Sequence, residues 1–346
     1  MDREVRTEIP QDASPVLVEV WRGQMVESRH RISIAVVDPH GGVVHAWGDI
    51  EQPIYGRSAI KPLLAIPLVE SGAADRFGLS AAEISLATAS HNGEPRHVEG
   101  VIAWLQRAGL TPDDLECGAH WPYHEPSLHA MVQAGIKPNR AHNNCSGKHA
   151  GFLTTAVHLG EPTKGYVQYE HAVQQRLLGI LEQMAACELG DAPRGIDGCG
   201  IPVIAMPLGN TAFAFAQMAD PHHLPPQRAL ACERILAAMM AEPFMVAGTG
   251  RYCTQLMQAI PGKAAVKTGA EGVYCAAVPS LGLGICIKAE DGAGRAAEVA
   301  LGQVLRHLGI ITDDEAAKHP ELLTPEIRNW AGTLTGHLKP SAELAF

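Results

Sequence analysis

The sequence predicts an α+β fold in which an antiparallel sheet is assembled from both ends of the chain, with a helical region inserted between them. Three observations carry this expectation. Strand-like apolar runs open the chain and return late in it. Helical periodicity dominates between them, from about residue 58 to about residue 260. The 346 residues are 46% hydrophobic and 18% charged, ample for one large core.

Taken in order, residues 1–14 read as a polar N-terminal tail with no apolar h-region, so a secretory leader is not expected. Residues 15–346 read as one catalytic domain, its sheet drawn from about 15–50 and 264–290. Val16–Trp21, Arg31–Val37 and Val43–Trp47 are apolar runs between turn signals, and Asp38-Pro39-His40-Gly41-Gly42 makes the last two a hairpin. Helices are expected at Pro95–Ala108, Ser127–Ala134, His149–Leu159, Tyr169–Cys187, Pro226–Ala241 and Gly294–Leu308. Ile201–Leu208 and the stretch Val273–Ile287 read as strands, and the Pro-rich Ala219–Gln227 reads as a surface loop.

Composition narrows the function classes. The net charge is -10 without a basic cluster, which argues against nucleic acid and anionic membranes as partners. No apolar run approaches the length of a membrane span. Eight cysteines without a leader read as reduced thiols in a cytoplasmic protein.

The chemistry starts at Arg57-Ser58-Ala59-Ile60-Lys61, where a serine precedes a lysine by three residues ahead of an apolar run. A lysine in apolar surroundings loses stabilisation of its ammonium, and a neutral amine beside a hydroxyl is a base beside a nucleophile. Pro62 and Pro67 conflict with a regular helix here, so the spacing does not guarantee ideal geometry. Ser90-His91-Asn92 and Lys267-Thr268-Gly269 follow in the order used by serine acyl-transfer enzymes of the beta-lactamase and penicillin-binding type. A second cluster, Asn144-Cys145-Ser146-Gly147-Lys148-His149 with Asp197-Gly198-Cys199-Gly200, puts cysteines where loops meet elements. Cys145 and His149 have i, i+4 spacing, but no C-x-x-C pair occurs; zinc ligands and plain buried cysteines both stay open.

Gly56 to Pro62, Ala89 to Glu94, Asn144 to His149, Asp197 to Gly200 and Lys267 to Gly272 together resemble the asparaginase II family, the Rhizobium etli-type L-asparaginases. The resemblance implies hydrolysis of L-asparagine to L-aspartate and ammonia by a homodimer with a serine beta-lactamase/glutaminase-like fold. It pairs Ser58 with Lys61, and Ser90 with a late lysine. Lys267 is preferred there because Thr268-Gly269 follows it, with Lys263 the competitor. It further implies zinc held by Cys145, Lys148 and Cys199, with His149 behind them.

On that basis Ser58 is expected to attack the amide carbon with Lys61 as base, while Ser90 and Lys267 pass a proton to ammonia; the serines' roles are interchangeable at this stage. Arg57 is the expected cation for the α-carboxylate, and Asp197 or Glu271 the anion for the α-ammonium. His91 and Asn92 are expected to position the amide. Rival readings are a glutaminase, another serine amidase or beta-lactamase-like hydrolase, and a non-catalytic zinc-binding module.

Overall fold

The computed structural model describes residues 14–344, so the predicted tail at 1–14 lies outside the described residues except for Ser14. The strands are β1 (Val16–Arg22), β2 (Met25–Val37), β3 (Val43–Trp47), β4 (Pro53–Tyr55), β5 (Arg194–Ile196), β6 (Pro202–Pro207), β7 (Ala265–Thr268), β8 (Val273–Val278), β9 (Leu283–Ala289), β10 (Glu326–Arg328) and β11 (Leu334–Pro340). The main sheet runs β10-β11-β1-β2-β9-β8-β7, with β3 also paired to β2. Every pairing in it is antiparallel. The first and last thirds of the chain therefore meet at the β2–β9 pair, Ile34 opposite Ile287.

The expected two-ended sheet is present, and the stretch Val273–Ile287, expected as strands, holds β8 and β9 joined by a turn at 279–282. The sheet differs from the expectation in extending past residue 290, because β10 and β11 add to its β1 edge. These late strands carry Gly336, Lys339 and Pro340 and alternate in burial only weakly, as short edge strands do.

Helices cover the sheet. Leu208–Ala219, which the sequence reading missed, packs on β9, β2 and β8; Gly294–His307 packs on β9, β8, β11 and β1. Every residue of β8 is consequently buried, and its run Val273-Tyr274-Cys275-Ala276-Ala277-Val278 is apolar throughout rather than alternating. Most of the remaining helices form the inserted region, including Pro95–Arg107, Glu125–Gln133, Ser146–Leu159, Ala172–Ala185 and Pro226–Ala241, and a short one, Asp313–Lys318, precedes β10. A small sheet, β4-β6-β5, ties Tyr55 just before the Ser58 segment to the loop carrying Asp197. Among the described residues no helix is long and apolar enough to cross a membrane.

Candidate active site

Ser58 sits in a single 3₁₀ turn, Arg57–Ile60, entered through Arg57 at φ +48°. Short helices follow at Lys61–Leu64 and Ile66–Glu70, with Pro62 and Pro67 in their first turns, where no N–H is needed. The prolines thus break one helix into three pieces. The turn packs against β7 and β8, which brings Ser58 to the strand carrying Lys267.

Lys61 Nζ is fully buried and donates to Ala89 O, to Ser90 Oγ at 2.9 Å and to Cys145 Sγ at 3.1 Å. Lys267 Nζ, also fully buried, lies 2.9 Å from the same Ser90 Oγ and 2.8 Å from Thr268 O. Burial lowers both lysine pKa values, Lys267 the more strongly, and the nearby Lys61 charge depresses Lys267 further. One hydroxyl is therefore shared by two amines whose charged forms are disfavoured. The expected Ser58–Lys61 bond is absent among the described residues: Ser58 is half-buried with its hydroxyl unpartnered, because Lys61 reaches past it to Ser90 and Cys145. Lys263 is bonded instead to Glu315 and Ile310 O, so Lys267 is the late lysine at Ser90.

The sulfur cluster adjoins this array because two helices touch backbone to backbone. A Cβ on Gly147 would fall 2.1 Å from Leu86 O, so only glycine lets the Ser146–Leu159 helix approach this closely. That contact sets Cys145 beneath Lys61. Lys148 Nζ donates to Cys199 Sγ at 2.9 Å. The hydrogen bond shared with Cys199, together with Lys61 and Lys148, pushes the Cys145 thiol well below its usual range despite burial. The same bond, with burial, raises Cys199. Burial opposes the charge on Lys148, but the two sulfurs outweigh it and raise its pKa.

Cys145, Lys148 and Cys199, the expected zinc ligands, lie close together, and thiolate and amine donors are of the kind zinc takes once Lys148 has lost its proton. Among the described residues no group of three or more His, Cys, Asp and Glu is placed to hold a metal. The expected set differs in kind, since lysine is its third member. His149 points elsewhere: its Nδ1 takes the Tyr166 hydroxyl at 2.8 Å.

The expected substrate-recognition groups fare differently. The Arg57 fork is spent on Asp197, with Nε at 3.0 Å and Nη2 at 2.8 Å from one carboxylate oxygen. Burial pushes the Asp197 carboxyl up, but Lys148 and Arg57 outweigh it and hold the acid ionised. The two residues expected to bind opposite ends of a zwitterion bind each other. They line a cavity with Gly56, Lys61, Lys148 and Ile201.

His91 is fully buried with both ring nitrogens occupied: Nδ1 accepts from Gly93 N–H at 3.0 Å and Nε2 lies 2.8 Å from Ser146 Oγ. It stacks on His97, and burial holds it neutral. Its role is to tie the Ser90 loop to the Cys145 helix. Glu271 is exposed on the β7–β8 turn at φ +59°, away from the lysines' partners. Asn92 borders an open cleft, but Glu94, Thr249 O and Arg251 hold its amide.

Two residues at the site escaped the sequence reading. Cys253 Sγ accepts from Thr268 N–H at 3.3 Å and meets the Tyr274 hydroxyl at 2.9 Å. Arg251 Nη1 reaches Asn92 Oδ1 at 3.0 Å and Ser90 O at 3.4 Å. Their signal was Gly248-Thr249-Gly250-Arg251, a glycine-punctuated loop before a helix, like the motifs that were noticed.

Comparison with known proteins follows from this geometry. Among solved structures, a beta-lactamase-type protein from Bacteroides dorei shares 14% identity over 75% of this chain and 84% of its own, at a TM-score of 0.39. A D-alanine carboxypeptidase AmpC from Burkholderia cenocepacia shares 15% identity over 76% of this chain and 88% of its own, at 0.35. No curated protein matches the chain. The family model for L-asparaginase II matches residues 18–340, a span that holds every motif quoted above. The chain therefore belongs to the L-asparaginase II family, and it is an amidohydrolase of the asparaginase type.

Proposed function

We propose that this enzyme hydrolyses L-asparagine to L-aspartate and ammonia through an acyl-serine formed at the paired lysines. The observation that carries this reading is Ser90 Oγ lying 2.9 Å from both Lys61 and Lys267. Two adjacent ammoniums repel, so one lysine rests neutral, and Lys267, the more depressed, takes that role.

Ser58 is the attacking hydroxyl in this reading. It is half-buried between Arg57 and Lys61, which line the cavity, its oxygen is unengaged, and a 3₁₀ turn stacks residues three apart on one face. Ser90 passes its hydroxyl proton to the neutral Lys267 and takes one from Lys61, which leaves Lys61 neutral. As Ser58 attacks the amide carbon, its proton passes to Lys61. The array then holds the proton that departing ammonia needs, and returns it by the reverse path. Backbone N–H groups at Ser58 and Ala270 supply the oxyanion donors. Water hydrolyses the aspartyl ester.

A second reading makes Ser90 the nucleophile with Lys267 as base, favoured by the same short Ser90–Lys267 contact. Alanine variants separate the two: a trapped ester on Ser58 supports the first, and one on Ser90 the second.

Cys145, Lys148 and Cys199 are the residues that would hold zinc, matching the thiolate and amine chemistry seen there. Bound there, the ion would fix Cys145 as a thiolate and polarise the floor of the site. The protein is further read as a single catalytic domain acting as a cytoplasmic homodimer. The decisive assay is ammonia release from asparagine and from glutamine by the wild-type, Ser58→Ala and Ser90→Ala proteins. Turnover of asparagine by wild type and its loss in Ser58→Ala are expected, and undiminished turnover by Ser58→Ala would overturn the assignment.

A further inference from the structure

The pairing of Arg57 with Asp197 leaves the α-carboxylate of an amino-acid substrate without its expected partner. A second guanidinium lies on the other side of the array. Arg251 Nη1 donates to Asn92 Oδ1 at 3.0 Å and touches Ser90 O at 3.4 Å. Its Nε and Nη2 have no hydrogen-bond partner among the described residues, and no carboxylate there stands within ion-pair distance. The acid that feels its charge, Glu298, is pushed up to about 7 by burial and makes no hydrogen bond to it among the described residues.

The loop presenting Arg251 is set firmly. Glu94 Oε1 takes the Thr249 N–H at 2.7 Å and the Asn92 amide at 3.3 Å, and Oε2 takes the Thr249 hydroxyl at 2.7 Å. Gly248 passes Glu94 at φ +106°, where a Cβ would lie 2.3 Å from Oε1. Arg251 borders an open cleft with Asn92, Tyr123, His124, Glu125 and Thr249. A half-buried cation whose Nε and Nη2 are unengaged among the described residues, on a braced loop at a cleft, is suited to binding a planar anion bidentately.

We propose that Arg251 binds the substrate's α-carboxylate and makes the enzyme selective for free amino-acid amides. This rests on the reading of the site as an asparagine hydrolase. The amide and carboxylate carbons of asparagine are three bonds apart, about 4 Å at full extension. Ser90, whose hydroxyl joins the lysines, is the residue whose carbonyl touches Arg251. In this proposal an amide held at the serine hydroxyls lays its carboxylate against this guanidinium.

The test compares kcat/KM for L-asparagine with that for β-alaninamide, which is asparagine without its α-carboxylate, in the wild-type, Arg251→Ala and Arg251→Lys enzymes, with melting curves to confirm folding. Arg251→Ala is expected to lose about 100-fold on asparagine while β-alaninamide changes only a few-fold, collapsing the preference. Arg251→Lys, with the charge but not the fork, is expected to fall between. Equal losses on both amides, or an intact preference in either folded variant, would overturn the inference alone. A wild-type enzyme that releases no ammonia from asparagine would overturn the underlying reading and the inference with it.

Discussion

Ser90 Oγ accepts an N–H from each of two buried lysines, and the other partners of those lysines make the charge states of the site unequal. Lys61 has three acceptors around it, Ala89 O, Ser90 Oγ and Cys145 Sγ, which fill the three N–H bonds of an ammonium. Lys267 has two partners, which suits a neutral amine with a free lone pair. Two outcomes follow at this scale. Activity that needs Lys267 neutral is present above its folded-state pKa and lost as pH falls through it. Burial lowers that pKa, so the acid limb of kcat/KM lies well below the about 10.4 of free lysine. An acid limb at the ordinary lysine value would contradict the assignment. Lys267→Arg keeps a positive charge but abolishes the neutral form, so kcat is expected to drop by about 100-fold or more in the folded variant, with a lowered melting temperature because the guanidinium cannot shed its charge in this buried site. Near-wild-type turnover in that variant would remove Lys267 from the proton path.

At the scale of elements, the site depends on the Ser146–Leu159 helix lying against Leu86. Gly147→Ala places a methyl 2.1 Å from a backbone oxygen that cannot move alone. Destabilisation of about 3 kcal/mol is expected in denaturant melts, with loss of activity beyond what that explains, since Cys145 and Lys148 shift with the helix. An unchanged midpoint and full turnover would show that the contact is looser than described. Sequence reading placed this helix three residues short, starting at His149, because Ser146-Gly147-Lys148 lacks apolar periodicity. It recovered most of the two-ended sheet, since β2 and β8 are long apolar runs whose patterns need no partner to be recognised. It missed β10 and β11, where short polar edge segments become strands only because β1 offers an edge. In the site, the motifs were legible as residue types at fixed spacings. Their pairings were legible only in part: the family resemblance paired Ser90 with Lys267, whereas Arg57 meets Asp197 across 140 residues, a pairing set by packing alone.

Across the whole molecule, both chain ends close one structure. β11 lies antiparallel on β1, with Val20 opposite Leu338, and β10 covers β11. A chain ending at residue 325 would expose the β1 edge, so aggregation and a lowered melting temperature are expected, read by light scattering. A soluble monodisperse product with unchanged melting would show that the last two strands are dispensable. The sulfur cluster supplies a second test at this scale. If Cys145, Lys148 and Cys199 hold zinc, added zinc raises the melting temperature of the wild-type protein and not of Cys199→Ala, because only the folded chain brings the three together. Equal shifts in both would place zinc elsewhere.

The most direct measurement of the central claim is acid quenching of the enzyme during asparagine turnover, followed by peptide mass mapping. An aspartyl ester on Ser58, absent from Ser58→Ala, is the expected result. Continued ammonia release with no covalent adduct on either serine would contradict the account.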